Sequence, residues 1–138
     1  MSITPEQLAA YRNARYVVFS EPDLVLRIGE PNADLDELLE AEGATSAAFI
    51  SASNPRGELQ SDGVNDIAYV ALVQVESEGY EVFAGEGRDP QGKWPAERSA
   101  LILGIAREEA ERIGRAFEQN AIVFVEKGAA PELIVLSA

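Results

Sequence analysis

The stretch RYVVFSEPDLVLRI, residues 15–28, decides how the chain is read. Arg15–Phe19 and Asp23–Ile28 are dense in Val, Leu, Ile and aromatic side chains, the composition of strands. Only Ser20, Glu21 and Pro22 stand between them. So short a link turns the chain back on itself, because a parallel crossover takes about a dozen residues or more. The sheet is therefore expected to be built mostly from antiparallel neighbours.

The rest of the chain is read outward from that hairpin. Thr4 is placed to cap a helix over Pro5–Asn13, with Pro5 at its first position. Asp34–Glu42 reads as a short acidic helix ended by Gly43. Ser46–Ser51 carries no charge and is expected as a central strand. Asp62–Glu78 is the longest predicted helix, with Asp62 as its N-cap and Asn65 at its third position, or else Asn65 as a second amide facing the same site as Asn54. Its buried face is read as Val64, Ile67, Ala68, Ala71, Leu72 and Val75. Tyr80–Ala84 reads as a strand, Gly85–Lys93 as a glycine-rich loop and Ser99–Ile105 as a second uncharged strand. Arg107–Asn120 is an amphipathic helix with Ala106, Ala110, Ile113 and Phe117 as its core stripe, and Ala121–Glu126 and Glu132–Leu136 close the chain as strands. The order places the chain in the α+β class. It is expected to be a single domain over residues 1–138, a mixed and mostly antiparallel sheet carrying three to four helices.

Composition excludes several chemistries. The 138 residues include no Cys and no His. Disulfides, thiolate nucleophiles, Cys/His zinc sites and Ser-His-Asp arrangements are ruled out. Carboxylates, Tyr, Lys, hydroxyls and an oxygen-bound Mg²⁺ remain open, and the cofactor stays unknown. The net charge is −13, from 24 acidic and 11 basic residues. Such a chain is expected to avoid nucleic acid and anionic membranes. No apolar run approaches the roughly 20 residues of a membrane span, and Met1–Ala10 lacks the basic start of a secretory signal. A cytoplasmic location is the expectation; oligomeric state is left open.

Three stretches could carry chemistry. GRDPQGKW, Gly87–Trp94, has the G-x-x-x-x-G-K spacing of a phosphate-binding loop. It lacks the Ser or Thr that follows the Lys, and the next element reads as a strand, so it is taken as a loop. In KWPAERS, Lys93–Ser99, the only tryptophan, Trp94, precedes Glu97 and Ser99, which lie two apart and so point to one face of a strand. They could hold a polar ligand; alternatively Trp94 covers the core edge and Glu97 pairs with Arg98 or Arg56. In SASNP, Ser51–Pro55, an uncharged strand ends in Asn54, at the sheet end where ligands collect in α/β proteins. Asn54 and Pro55 read equally as a turn. Arg56, Arg88, Lys93 and Arg98 sit in or beside these loops and would suit an anion, or pair with Glu58, Glu86, Asp89 and Glu97.

FISASNPRG, NDIAYVAL, GEGRDPQGKWPAERSALILGI and AFEQNAIVF, in this order over Phe49–Phe124, resemble a bacterial family named only as Domain of Unknown Function 3293. Its pattern has Thr and an aromatic residue where this chain has Ser51 and Ser53, which removes a stacking ring beside Asn54. The resemblance implies signature positions at Asn54, Pro55, Asn65, Trp94, Glu97, Ser99, Gln119 and Asn120, with no roles attached.

Two functions are carried forward. The first is a small protein binding a small polar or anionic ligand, with possible hydrolytic chemistry. Glu97 would be its acid/base, and Asn54, Arg56, Asn65, Arg88, Trp94, Arg98 and Ser99 its ligand contacts. The second is a non-catalytic acidic module that meets a basic protein. The first requires the Asn54 turn and the Trp94–Ser99 segment to meet in space.

Overall fold

The computed structural model describes residues 3–136, so Met1 and Ser2 of the N-terminal stretch read above lie outside it. In chain order the elements are α1 (Pro5–Asn13), β1 (Arg15–Val18), β2 (Leu24–Leu26), α2 (Ala33–Ala41), β3 (Ser46–Ser51), α3 (Asp62–Val73), β4 (Glu81–Arg88), β5 (Glu97–Leu103), α4 (Arg107–Ala116), β6 (Ala121–Glu126) and β7 (Glu132–Val135). Short 3-10 turns follow β3 at Pro55–Gly57 and α3 at Gln74–Glu78.

Over the described residues the fold is α+β, four helices against one seven-stranded sheet in the order β2-β1-β4-β5-β3-β6-β7. Every neighbouring pair is antiparallel, which is stricter than the mixed sheet expected from the sequence. β3 and β4 both run against β5, so they are parallel to each other with β5 between them, and α3 makes the crossover. β5 and β6 are related in the same way around β3, through α4. Residues 46–126 thus form a β-α-β-β-α-β unit with the split βαβ, ferredoxin-like connectivity. The β1–β2 hairpin extends this unit beyond β4, and β7 extends it beyond β6.

Strand alternation divides the core into two layers. On one face Tyr16, Val18, Leu26, Phe49, Leu101, Leu103 and Val123 pack with Leu35 and Leu39 of α2. On the other, Ala48, Ile50, Ala100, Ile102, Ile122 and Phe124 pack with Leu72 of α3 and with Ala110 and Ile113 of α4. No residue of α1 is buried. The helix forms because Thr4 and Gln7 cap it reciprocally: Gln7 N–H donates to Thr4 Oγ1 (3.1 Å) and Thr4 N–H to Gln7 Oε1 (2.9 Å).

Several elements differ from their sequence reading. The β4 strand continues through the supposed glycine loop to Arg88. Gly85 permits this, since a Cβ there would lie 2.2 Å from the Val17 carbonyl oxygen. Ser61, not Asp62, caps α3, its Oγ accepting from Val64 N–H at 3.2 Å. The inward face of α3 and the turn after it keeps Leu72, Val75 and Ala68 from the expected stripe but is rotated toward Tyr69, with Val64, Ile67 and Ala71 turned out. Tyr69 and Leu72 are buried, whereas Val64 and Ile67 are 51% and 74% exposed. Ala106 is the exposed N-cap position of α4 and Ile105 takes the buried place beside it.

Phe117 ends α4 half-buried, packed against the second layer. A fully buried Phe loses about 3–5 kcal/mol on truncation to Ala, and partial exposure brings the expected loss for Phe117→Ala down to about 2 kcal/mol. Urea denaturation reads this directly. A loss under about 0.5 kcal/mol, typical of surface positions, would take Phe117 out of the core.

Candidate functional site

The uncharged strand β3 delivers the chain to the sheet end, where Asn54 is 6% exposed and takes the left-handed conformation, φ 48° and ψ 63°. Asn tolerates that region better than most residues because its short amide bonds locally. Its Oδ1 accepts from Gln60 N–H (2.9 Å) and from Asn65 Nδ2 (3.0 Å), and its own N–H donates to Asn65 Oδ1 (3.0 Å). These donors orient the amide, so that Nδ2 donates to Glu97 Oε2 at 2.7 Å. The Asn54 turn and the start of β5 therefore do meet. Asn65 is free for this because Ser61 supplies the cap.

Glu97 sits on the same face of β5 as buried Ser99, whose hydroxyl donates to the Glu97 carbonyl (3.0 Å). Burial pushes the Glu97 carboxyl above its ordinary pKa, with the Asn54 hydrogen bond pulling partly the other way. Oε1 has no hydrogen-bond partner among the described residues. Two tyrosines stand close. Burial raises the Tyr11 hydroxyl, opposed by its hydrogen bond from Asn120 Nδ2 (3.3 Å), and the Glu97 charge adds to the rise. Tyr16 is raised by burial further still, and its hydroxyl donates to the Tyr11 carbonyl, tying α1 to the sheet.

Between α1 and the sheet end lies a cavity of about 160 Å³ whose wall includes Gln7, Tyr11, Asn54, Trp94 and Glu97. A smaller hollow of about 40 Å³, lined by Tyr16, Ser99 and Gln119 among others, adjoins it, with Tyr11, Trp94 and Glu97 common to both. Gln119 donates from Nε2 to the Ser53 carbonyl (3.1 Å), which fixes the floor of the turn.

The structure brings Asn54, Asn65, Trp94, Glu97 and Ser99 together and leaves the arginines apart. Arg56 is left-handed at φ 57° and pairs with Glu118 (3.0 Å), itself left-handed at φ 54°. Arg88 pairs with Glu86 (2.6 Å). Arg98 lies on the opposite face of β5, bonded to Asp66 (3.1 Å) and stacked 4.2 Å over the Tyr69 ring. Sequence reasoning missed Tyr11 and Tyr16, since nothing in the sequence connects the first helix to residue 97. Among the described residues no group of three or more Asp or Glu side chains is arranged to hold a metal ion.

A family model described as Protein of unknown function (DUF3293) matches residues 50–122, more than half of the chain. The chain belongs to that family. In DUF3293 terms, the matched stretch is almost the whole β-α-β-β-α-β unit, and it carries Asn54, Asn65, Trp94, Glu97, Ser99, Gln119 and Asn120. Tyr11 and Tyr16 come from outside it. No curated protein and no solved structure matches the chain. Among the described residues no helix is long and apolar enough to cross a membrane.

Proposed function

We propose that the cavity at Glu97 binds a small polar molecule and that Glu97 acts on it as an acid/base, hydrolysis being the reaction class. Glu97 itself carries this reading. One carboxylate oxygen is held by Asn54, and the other is free at the cavity wall. A carboxyl whose pKa is raised toward neutrality is better suited to move protons at working pH. The Tyr11 hydroxyl and the Asn54 amide would orient the ligand. Backbone strain gathers at the same end: left-handed Asn54, Arg56 and Glu118 each cost on the order of 1–3 kcal/mol, and such strain clusters at functional sites. A cavity of about 160 Å³ equals on the order of five liquid-water volumes, room for a few heavy atoms or the head of a longer ligand. A bacterial, cytoplasmic setting is part of this proposal.

Glu97→Gln tests it. Gln keeps shape and removes charge. In a thermal-shift and calorimetric screen of small polyols, amides and sugars, the variant should bind hits at least tenfold more weakly, about 1.4 kcal/mol. Stability should move the other way. A carboxyl with a folded pKa above its unfolded value favours the folded state at low pH, and that advantage is lost as pH rises through the folded value. The melting temperature of the variant relative to the native chain should therefore increase between pH 4 and pH 7. A variant that binds every hit at native strength removes Glu97 from the site.

That outcome would favour a second reading, an acidic module that meets a basic protein. Exposed Leu59, Val64, Ile67 and Val70 around α3, beside Asp62 and Asp66, support it by offering apolar anchorage inside a negative surround.

A further inference from the structure

The chain has more than twice as many acidic as basic residues, so a cation without a carboxylate partner is unusual. Among the described residues Arg27, Arg56, Arg88, Arg98, Arg107, Arg112, Arg115 and Lys127 all lie in ion pairs. Arg12, Arg15 and Lys93 do not, and the last two of these line one groove, together with Arg27, whose partner Glu30 is a loose 3.5 Å away. Arg15 also faces Arg88 directly across the β1–β4 ladder. Like charges in that position repel, and Arg88 is neutralised by Glu86 while Arg15 is not. Two carboxylates share the groove. Asp89 is occupied by backbone donors, Gln91 N–H at 3.0 Å and Lys93 N–H at 2.7 Å, which leaves Glu6.

This groove, about 680 Å³ and open, adjoins the Glu97 cavity, with Gln7, Ala10 and Trp94 lining both. We infer that the ligand of the cavity is a phosphorylated small polar molecule, its polar head at Glu97 and its phosphate in the groove between Arg15, Arg27 and Lys93. This deepens the reading of Glu97 proposed above and rests on it for the head alone. A phosphate dianion meets separate cations at once, relieves the Arg15–Arg88 repulsion and offers acceptors to guanidinium and ammonium donors.

Trp94, the only tryptophan, lines both spaces and reports on both by its fluorescence. The probes are glycerol, glycerol 3-phosphate and inorganic phosphate. Glycerol 3-phosphate should bind at least tenfold tighter than glycerol. Arg15→Gln combined with Lys93→Gln should abolish that gain and leave glycerol binding unchanged, whereas Glu97→Gln should weaken glycerol and its phosphate alike. Inorganic phosphate binding that is lost in the double variant, with glycerol inert, would sustain the phosphate site and sink the Glu97 head site. A phosphate gain that survives the double variant, equal binding of the two glycerol compounds, or no response to any probe overturns the inference.

Discussion

Asn54→Ala is expected to destabilise the protein by about 3–5 kcal/mol. The substitution strands the Gln60 N–H and the Asn65 amide, each at about 1–3 kcal/mol where burial denies them water. It also leaves Glu97 Oε2 without its donor. Ala in the left-handed region adds about 1–2 kcal/mol. Asn54→Gly separates these causes. Glycine adopts φ 48° freely, so it should recover about 1 kcal/mol of the loss and no more. Equilibrium denaturation of the three proteins reads the series. An Ala variant within about 1 kcal/mol of the native chain would mean that water replaces the Asn54 amide at no net cost.

Gly85→Ala is the second large effect, at about 3 kcal/mol or more. Overpacking usually costs about 1–3 kcal/mol, and more when the obstruction is backbone and cannot swing aside. Here the new methyl would meet the Val17 carbonyl oxygen at 2.2 Å and the Phe49 ring at 3.1 Å. The strand β1 must withdraw from β4, and the β1–β2 hairpin must follow it. Hydrogen exchange should show amides of β1 losing protection before those of β3 and β5. Gly87→Ala is the control, because its nearest neighbour would be Tyr16 Cδ1 at 3.9 Å, ordinary contact. If both alanines cost the same, the close approach at Gly85 is not what holds the seam.

Strand periodicity carried most of what could be read in advance. Two-residue spacing put Glu97 beside Ser99, and the lack of charge in Ser46–Ser51 and Ser99–Ile105 marked neighbours in the sheet interior. The α3 face was only half legible, Leu72, Val75 and Ala68 being placed correctly and Val64, Ile67 and Ala71 not, for a physical reason. Val64, Ile67, Ala68, Tyr69, Val70, Ala71, Leu72 and Val73 are apolar almost all round, so helical spacing admits more than one stripe, and packing on β5 selects Tyr69 and Leu72. Charge counting gathered Arg56, Arg88 and Arg98 around the loops, yet each has a nearer carboxylate, and Arg98 follows Glu97 by one residue and so faces the other way. The cavity itself depends on α1 crossing the sheet end, a tertiary arrangement with no local signature.

That arrangement divides the site between two parts of different standing. Asn54 and Glu97 belong to the β-α-β-β-α-β unit and are fixed by strands β3 and β5 at its centre. Tyr11 and Gln7, which bound the space beside them, ride on a helix that buries no residue and is fastened through a few hydrogen bonds. Mutations in that helix are expected to touch the folding of the centre little, and mutations at the pair to disturb it directly. On the function proposed above, evolution would be free to rewrite which molecule is admitted while the carboxylate proposed to handle protons stays put, much as a lock is re-keyed without replacing the bolt.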